Sequence, residues 1–265
     1  MKPTSVSNRQ STLLRKLNKK KYRHKEKLFL IEGDRAVQQV ITNSAISVRA
    51  LFFDENQQYW RDERWAEAAQ QVDVSVMDEA LFAEVSDTDN PQGVLAICEM
   101  PQETTITDLQ SQKGIILALD ALQDPGNLGT IIRTASWFGA TGILSGKGTV
   151  DLFNPKVVRA TAGATGSVPH LNGNLSALLK ELQKEGWPVF MLDTGEGAES
   201  LSDIASVDKA IIVVGNEAHG IQADLQAVPL RRIRIAPPQK NVQVESLNAA
   251  IATSIALYEL TATLK

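Results

Sequence analysis

Three stretches of this chain place polar side chains directly after apolar runs, where packing alone would ask for something else. The first begins Asp120-Ala-Leu-Gln-Asp-Pro-Gly-Asn-Leu-Gly and continues to Arg133. Pro125, Gly126 and Gly129 make a tight turn into a helix, with Asn127 expected as its N-cap. Arg133 falls about two turns into that helix, beside the apolar Ile132 and Ala135, at the mouth of the loop. In the second stretch, Gly215 permits close backbone approach, and Asn216 and Glu217 carry polar groups into a strand-end crevice. The third runs from Ile235 through a stiff Pro237-Pro238 turn to Glu245, Ser246, Leu247 and Asn248. Ser246 or Glu245 can cap the last helix there, and the free N–H groups and dipole of its first turn suit an anion.

Each stretch also has a plainer reading: a strand–turn–helix connection with a surface arginine, a Gly-Asn turn that tolerates positive φ, and a helix cap. Gly126 and Gly129 at a helix start also suit a nucleotide phosphate. The spacing is not Gly-x-Gly-x-x-Gly, however, and no acidic residue closes a strand where a dinucleotide fold requires one. His219 reads as a loop residue rather than a base.

Loops of this kind need strands to hold them. Residues 115–119 (IILAL) and 210–215 (AIIVVG) are near-continuous apolar runs, as expected of strands buried on both faces of a parallel sheet. Around them the patterning predicts strands over 142–144, 189–193 and 232–235, and helices over 128–138, 155–162, 175–185 and 246–264. Leu247, Ile251, Ile255 and Tyr258 lie along one stripe of that last helix. Residues 113–265 therefore read as a parallel α/β domain whose ligands sit at the carboxyl ends of its strands. Ahead of it, Ser7 can cap a helix carrying Leu13, Leu14 and Leu17. Strands over 27–32, 48–53, 74–77 and 93–99 alternate with helices after Gly33, over 60–72 and over 79–85. Residues 1–100 thus read as a small α/β unit, and the polar stretch 101–112 as a linker.

At 265 residues the chain suits one large or two modest domains, and 43% apolar with 22% charged residues calls for a proper core rather than disorder. No window approaches the roughly 18 apolar residues of a membrane span. The single cysteine, Cys98, cannot form an internal disulfide, and no Cys/His cluster has metal-ligand spacing. A cytoplasmic setting with no metal and no membrane is expected. A net charge of −4 argues at first against nucleic acid. Its distribution reverses that argument: residues 1–27 hold ten Lys/Arg against Glu26 alone, a local +9 that leaves −13 for the other 238 residues. Arg15, Lys16, Lys19, Lys20, Lys21 and Arg23 are the heart of a basic face suited to phosphates. A solvated tail and an organellar transit peptide are the alternatives; the Lys-rich composition and the patterned segment that follows disfavour the second.

Taken in order, the three stretches resemble the motifs of the SpoU/TrmH branch of the SPOUT RNA methyltransferases. The match is Asp124-Pro-Gly-Asn127-Leu-Gly129 with Arg133, then Gly215-Asn216-Glu217, then Ser246-Leu247-Asn248. Arg159-Ala-Thr-Ala-Gly163-Ala164 followed by Val168-Pro169 is similar to a further segment of that family. The resemblance covers residues 113–265; residues 1–100 resemble, less sharply, the small RNA-binding α/β domain often placed ahead of it. It implies a parallel-sheet SPOUT-type domain with a C-terminal trefoil knot, packed as a homodimer, with S-adenosylmethionine bent into the knot loops. Periodicity implies none of this, and knots are rare enough that patterning alone would exclude one. Residue by residue, the resemblance places Gly215, Asn216, Ile235 and Leu247 at the cofactor, with Leu192 and Thr194 lining the same pocket. It places Asn127, Arg133, Glu217, Ser246 and Asn248 around the reacting ribose.

The implied activity is methylation of a ribose 2′-hydroxyl in structured RNA, with ribosomal RNA as the first choice. Transfer RNA, or a non-catalytic RNA-binding protein of the same fold, is the alternative. One departure stands out: the family's Pro-Met-x-Gly turn is replaced by Ala236-Pro-Pro-Gln-Lys-Asn241, which is longer and lacks the glycine. A sulfonium methyl is already reactive, so the protein mainly supplies orientation, worth ~7–11 kcal/mol. A guanidinium keeps its proton at neutral pH, so Arg133 is expected to clamp the adjacent phosphate and steady the developing alkoxide rather than act as a base.

Overall fold

The computed structural model describes residues 3–43, 46–57, 59–65, 68–195, 197–204, 207–216, 220–237 and 243–262. The chain forms two compact units, Met1–Gln102 with Asp151–Gly166, and Glu103–Val150 with Ser167–Lys265.

In the first unit, β1 (Thr4–Ser5) precedes α1 (Asn8–Leu17) and α2 (Lys20–Glu26). Ser7 caps α1 through a full capping box with Gln10, which satisfies two donors that the first turn would otherwise leave open. Then follow β2 (Leu28–Glu32), α3 (Asp34–Asn43), β3 (Val48–Asp54), α4 (Ala68–Gln71), β4 (Asp73–Met77), α5 (Glu79–Val85) and β5 (Val94–Glu99). The sheet order is β1-β4-β3-β5-β2, with β5 antiparallel to both neighbours. Strand alternation divides its side chains between two cores. Leu28, Leu30 and Phe52 pack with Leu14 and Leu17 of α1 and Phe82 of α5. Phe29, Ile31 and Phe53 pack with Val37 and Val40 of α3. Cys98 lies fully buried in the second of these, and burial pushes its thiol well above the usual range.

The helix expected over 60–72 is broken. Among the described residues, Tyr59–Arg61 and Glu63–Trp65 are single 3-10 turns, and only the four-residue α4 is α-helical. Asp62 explains the break: it accepts from the Arg64 backbone N–H at 3.0 Å and from the Arg64 side chain at 2.7 Å, local bonds that compete with a helix. Trp65 meanwhile is drawn into the core, edge-on to Phe53.

The second unit opens with α6 (Ile106–Gln110), inside the stretch expected as a linker. Thr105 and Asp108 form a capping box around it, and Leu109 is 1% exposed in the main core. One buried residue on a single-turn helix leaves no periodic trace, which is why composition alone suggests a connection. Next come β6 (Gly114–Leu119), α7 (Pro125–Trp137) and β7 (Gly142–Ser145). The chain then contributes Asp151–Gly166, with α8 (Pro155–Ala160), to the first unit, where Phe153 packs on Phe29 and Val158 joins the core. It returns as β8 (His170–Asn172), α9 (Leu175–Lys184), β9 (Val189–Leu192), β10 (Glu199–Ser200), β11 (Lys209–Val214), β12 (Arg231–Arg234) and α10 (Ala249–Ala262). The sheet, ordered β10-β12-β9-β11-β6-β7-β8, is parallel throughout. Strands β6 and β11 sit at its centre, paired from Lys209 with Gly114 to Val214 with Leu119. Their alternate residues Ile116, Ala118, Ile211 and Val213 pack with α6 and α9. Helix α10 packs on β6, β11 and α7.

Candidate active site

Because β12, β9, β11 and β6 are adjacent and parallel, the loops that follow them emerge on one edge of the sheet. The first carries α7. Its N-cap is Asp124, not Asn127: the Asp124 carboxylate accepts the Asn127 backbone N–H at 2.6 Å, and Pro125 occupies the first helical position. A proline there gives up no needed donor, so the helix starts three residues earlier than the expected Asn127 cap implies. Asn127 is thereby moved to the third position of the helix, with its side chain available to the loops.

That side chain meets the third motif. Asn248 Nδ2 donates to Asn127 Oδ1 at 2.8 Å. The Asn248 amide is oriented from its other end, because Oδ1 accepts the backbone N–H groups of Ala250 at 2.9 Å and Ile251 at 3.3 Å. Asn248, rather than Ser246 or Glu245, therefore caps α10, and this fixes which end of the amide faces Asn127. Ser246 and Leu247 precede the cap and are exposed. Two further features tie the helices together, the bond from Ser254 Oγ to Thr134 Oγ1 at 3.2 Å and the packing of α10 on α7. Arg133 is exposed on α7, between the buried Ile132 and its neighbour Thr134.

The second motif follows β11. Gly215 is required for a close approach, though to its own loop: a Cβ there would lie 2.7 Å from the Gly220 carbonyl carbon. Asn216 and Gly220 exchange backbone hydrogen bonds at 2.8 and 2.9 Å, and Asn216 Nδ2 donates to the Ala121 carbonyl at 2.9 Å. Glu217 and His219 lie outside the described residues, as do 238–242 of the unusual proline loop.

Leu192 and Ile235 are half-buried at the ends of β9 and β12, and Thr194 is exposed beyond β9. Asp193 holds this turn by accepting Gly195 N–H at 2.8 Å and pairing with Arg232. Burial opposes its charge, but those hydrogen bonds win and its carboxyl is held below the ordinary range.

A polar group that sequence reasoning did not single out lies beneath the second motif. Asp120, 3% exposed at the end of β6, accepts the Gln222 backbone N–H at 2.6 Å. Burial raises its pKa, the Gln222 bond opposes that, and the charge of Asp224 adds to it. The signal in the sequence is weak, an aspartate closing an apolar run.

The basic face of the first unit divides once side-chain partners are known. Lys16, Lys19, Lys20 and Lys21 are exposed. Arg15 is also exposed, but it is engaged by Glu84 through two 2.7 Å hydrogen bonds. Arg23 does not belong to the solvent-facing set: it is 2% exposed and paired with Asp151, because its guanidinium closes a gap between α1, α2 and the 151–166 segment.

With this geometry in view, similarity to known proteins becomes informative. Residues 114–258 match the SpoU rRNA methylase family, and residues 8–96 match the MRM3-like substrate binding domain. The chain belongs to the SpoU rRNA methylase family. It is 33% identical over 256 residues to the 23S rRNA (guanosine(2553)-2′-O)-methyltransferase RlmP of Bacillus subtilis, covering 97% of each chain. It is 29% identical over 240 residues to the 23S rRNA (guanosine-2′-O-)-methyltransferase RlmB of Ralstonia nicotianae, covering 87% of this chain and 94% of that one. An AdoMet-bound rRNA methyltransferase from Sinorhizobium meliloti superposes with a TM-score of 0.81 at 29% identity, covering 99% of this chain and 97% of that one. As in that family, the two matched regions are a substrate-binding domain followed by a methyltransferase domain, and the enzyme is an S-adenosylmethionine-dependent methyltransferase.

The residues present suit that cofactor. Leu192 and Ile235 are half-buried at the ends of the paired strands β9 and β12, and a pocket there would offer apolar contact to a base face with strand-end backbone groups for its polar edge.

Proposed function

We propose that this enzyme methylates the ribose 2′-hydroxyl of a guanosine in large-subunit ribosomal RNA, the substrate named for its relatives RlmP and RlmB. The observation that carries the reading is the 2.8 Å bond between Asn127 and Asn248, which unites two motifs 121 residues apart at one sheet edge. S-adenosylmethionine, when bound, supplies an electrophilic methyl group. Gly215, Asn216, Leu192, Thr194, Ile235 and Leu247 hold it; Asn127, Asn248, Ser246 and Glu217 orient the ribose beside it. Arg133 clamps the neighbouring phosphate and stabilises the oxygen as its proton departs to a phosphate oxygen or water. Lys16, Lys19, Lys20 and Lys21 add sequence-independent phosphate contacts, and each neutralised phosphate makes binding more salt-dependent.

Mapping 2′-O-methyl marks at nucleotide resolution in RNA from cells with and without the protein tests this. Loss of one ribosomal mark is the expected result. Loss of a transfer RNA mark alone moves the substrate, and an unchanged map removes the activity.

The same reading makes the enzyme a cytoplasmic homodimer whose last third is threaded as a trefoil knot. No helix of the described residues is long and apolar enough to cross a membrane. Trp137, Val244, Leu247, Ile251, Ile255 and Tyr258 are exposed, with Trp137 at 85%, and Ile251, Ile255 and Tyr258 share one face of α10 at helical spacing. A cluster of large apolar side chains on water marks an interaction surface, and a second copy is the occupant proposed for it. Sedimentation at micromolar concentration should give a dimer that Ile255→Glu dissociates; a monomeric wild-type protein would remove the assignment.

A further inference from the structure

Asp120 takes no part in the proposed chemistry, yet it is one of the few buried polar side chains of the second unit. The structure gives it one task. Its Oδ2 accepts the Gln222 backbone N–H at 2.6 Å, a short bond of the charge-assisted kind. The next residue, Ala121, is held at φ +53°, a left-handed conformation that a residue with a Cβ adopts only under constraint. Its carbonyl receives Asn216 Nδ2 at 2.9 Å, and Gln222 Nε2 reaches the Lys147 carbonyl at 3.0 Å. Between these anchors the loop closes on itself through the paired Asn216 and Gly220 backbones. Both feet of the segment from Asn216 to Gln222 therefore rest on the Asp120–Ala121 knuckle at the end of β6.

We infer that Asp120 is a positioning residue that sets Gly215, Asn216 and the Gly220–Gln222 turn for the methyl donor, a role that rests on the reading of the site given above. Among the described residues, Asp120 is the one side chain of the β6 end that holds Gln222, while the other anchors are backbone carbonyls and the Asn216–Gly220 pair. A purely structural role would lower thermal stability and leave donor and RNA affinities moving together. A positioning role singles out the donor.

The test uses the full chain, with S-adenosylmethionine titrated by calorimetry and methyl transfer followed on RNA from cells lacking the protein. Asp120→Ala is expected to weaken S-adenosylmethionine binding ~10-fold, the usual worth of one hydrogen bond to a charged group, while the KM for RNA moves less than about twofold. Asp120→Asn offers an amide oxygen to the same N–H and should recover binding to within about threefold of wild type. Should Asp120→Ala not fold, Asp120→Thr, which fills the space but falls short of Gln222, takes its place with the same expectation. Wild-type affinity in the Ala or Thr variant overturns the inference alone. So does an Asn variant as impaired as Ala with the RNA KM shifted equally. A wild-type protein that binds no S-adenosylmethionine overturns the site reading and this inference with it.

Discussion

Arg133→Ala is expected to slow methyl transfer at saturating substrates by about 10²–10³-fold, the cost of deleting one preorganised donor aimed at developing charge. The structure makes this a clean variant. Arg133 is exposed, and among the described residues its guanidinium has no hydrogen-bond or ion-pair partner. The helix is held by its neighbours, the buried Ile131, Ile132 and Ala135. Thermal unfolding should therefore shift by no more than about 0.5 kcal/mol, as for other surface substitutions. Calorimetry should show unchanged binding of S-adenosylmethionine, which assigns the loss to the RNA side of the reaction. Arg133→Lys separates charge from shape: an ammonium keeps the charge but lacks the planar fork, and turnover should stay about tenfold or more below wild type. Lysine turnover within about twofold of wild type would remove the fork from the mechanism, and the same result for alanine would remove Arg133 itself.

The parts of this fold legible in advance are those whose burial leaves a one-dimensional pattern. Strands β6 and β11 are buried on both faces, so their sequences are nearly unbroken apolar runs, and the loops after them are the natural place to look for chemistry. Helix ends are harder, because several residues in a row can cap. Asp124, Asn127, Ser246 and Asn248 all have the right chemistry. Pro125 decides the first case by occupying the first helical position, and the second is decided by a chain that stays non-helical through Leu247. Helix α10 poses a different problem. It is apolar on all sides, so no period identifies its buried face. Ala250, Thr253, Ala256, Leu257 and Leu260 face the core, while Leu247, Ile251, Ile255 and Tyr258, along the stripe picked out by spacing, are exposed.

Pairings distant in sequence are not legible at all. Nothing local in residues 151–166 predicts that Phe153 packs on Phe29 or that Val158 completes the core beneath α3. The two- and three-residue strands β1, β8 and β10 are likewise too short to show alternation. The basic N-terminal segment is legible as charge but not as structure. Composition weights each of its ten cations equally, and only the folded chain separates, among the described residues, those that face water from the buried Arg23.

That buried cation yields the second large effect. Arg23→Ala is expected to destabilise the protein by ~3–5 kcal/mol, because it leaves the Asp151 carboxylate buried without its main partner. The pair is 2% and 6% exposed, with Arg23 nitrogens 2.5 and 3.1 Å from Asp151 Oδ2. The guanidinium also donates to the Leu17 and Asn18 carbonyls at 3.0 Å each, so alanine orphans two acceptors at the end of α1 as well. Among the described residues, only His24 Nε2 at 3.3 Å and the Phe153 N–H at 3.3 Å would remain for the Asp151 carboxylate. Chemical denaturation of the single variant measures this cost. The double variant Arg23→Met, Asp151→Leu should recover the share of the loss due to the stranded carboxylate, since a buried pair is strongly disrupted by losing one member but tolerates apolar replacement of both; the share due to the Leu17 and Asn18 carbonyls stays. RNA binding supplies the contrast. Each of Lys19→Ala, Lys20→Ala and Lys21→Ala, exposed and able to meet a phosphate, should lower the slope of log affinity against log salt by about 0.7–0.9 for every phosphate left without its lysine. The double variant, if folded, should leave that slope at its wild-type value. A slope that falls for the double variant as it does for a lysine, with stability intact, would return Arg23 to the phosphate-binding face.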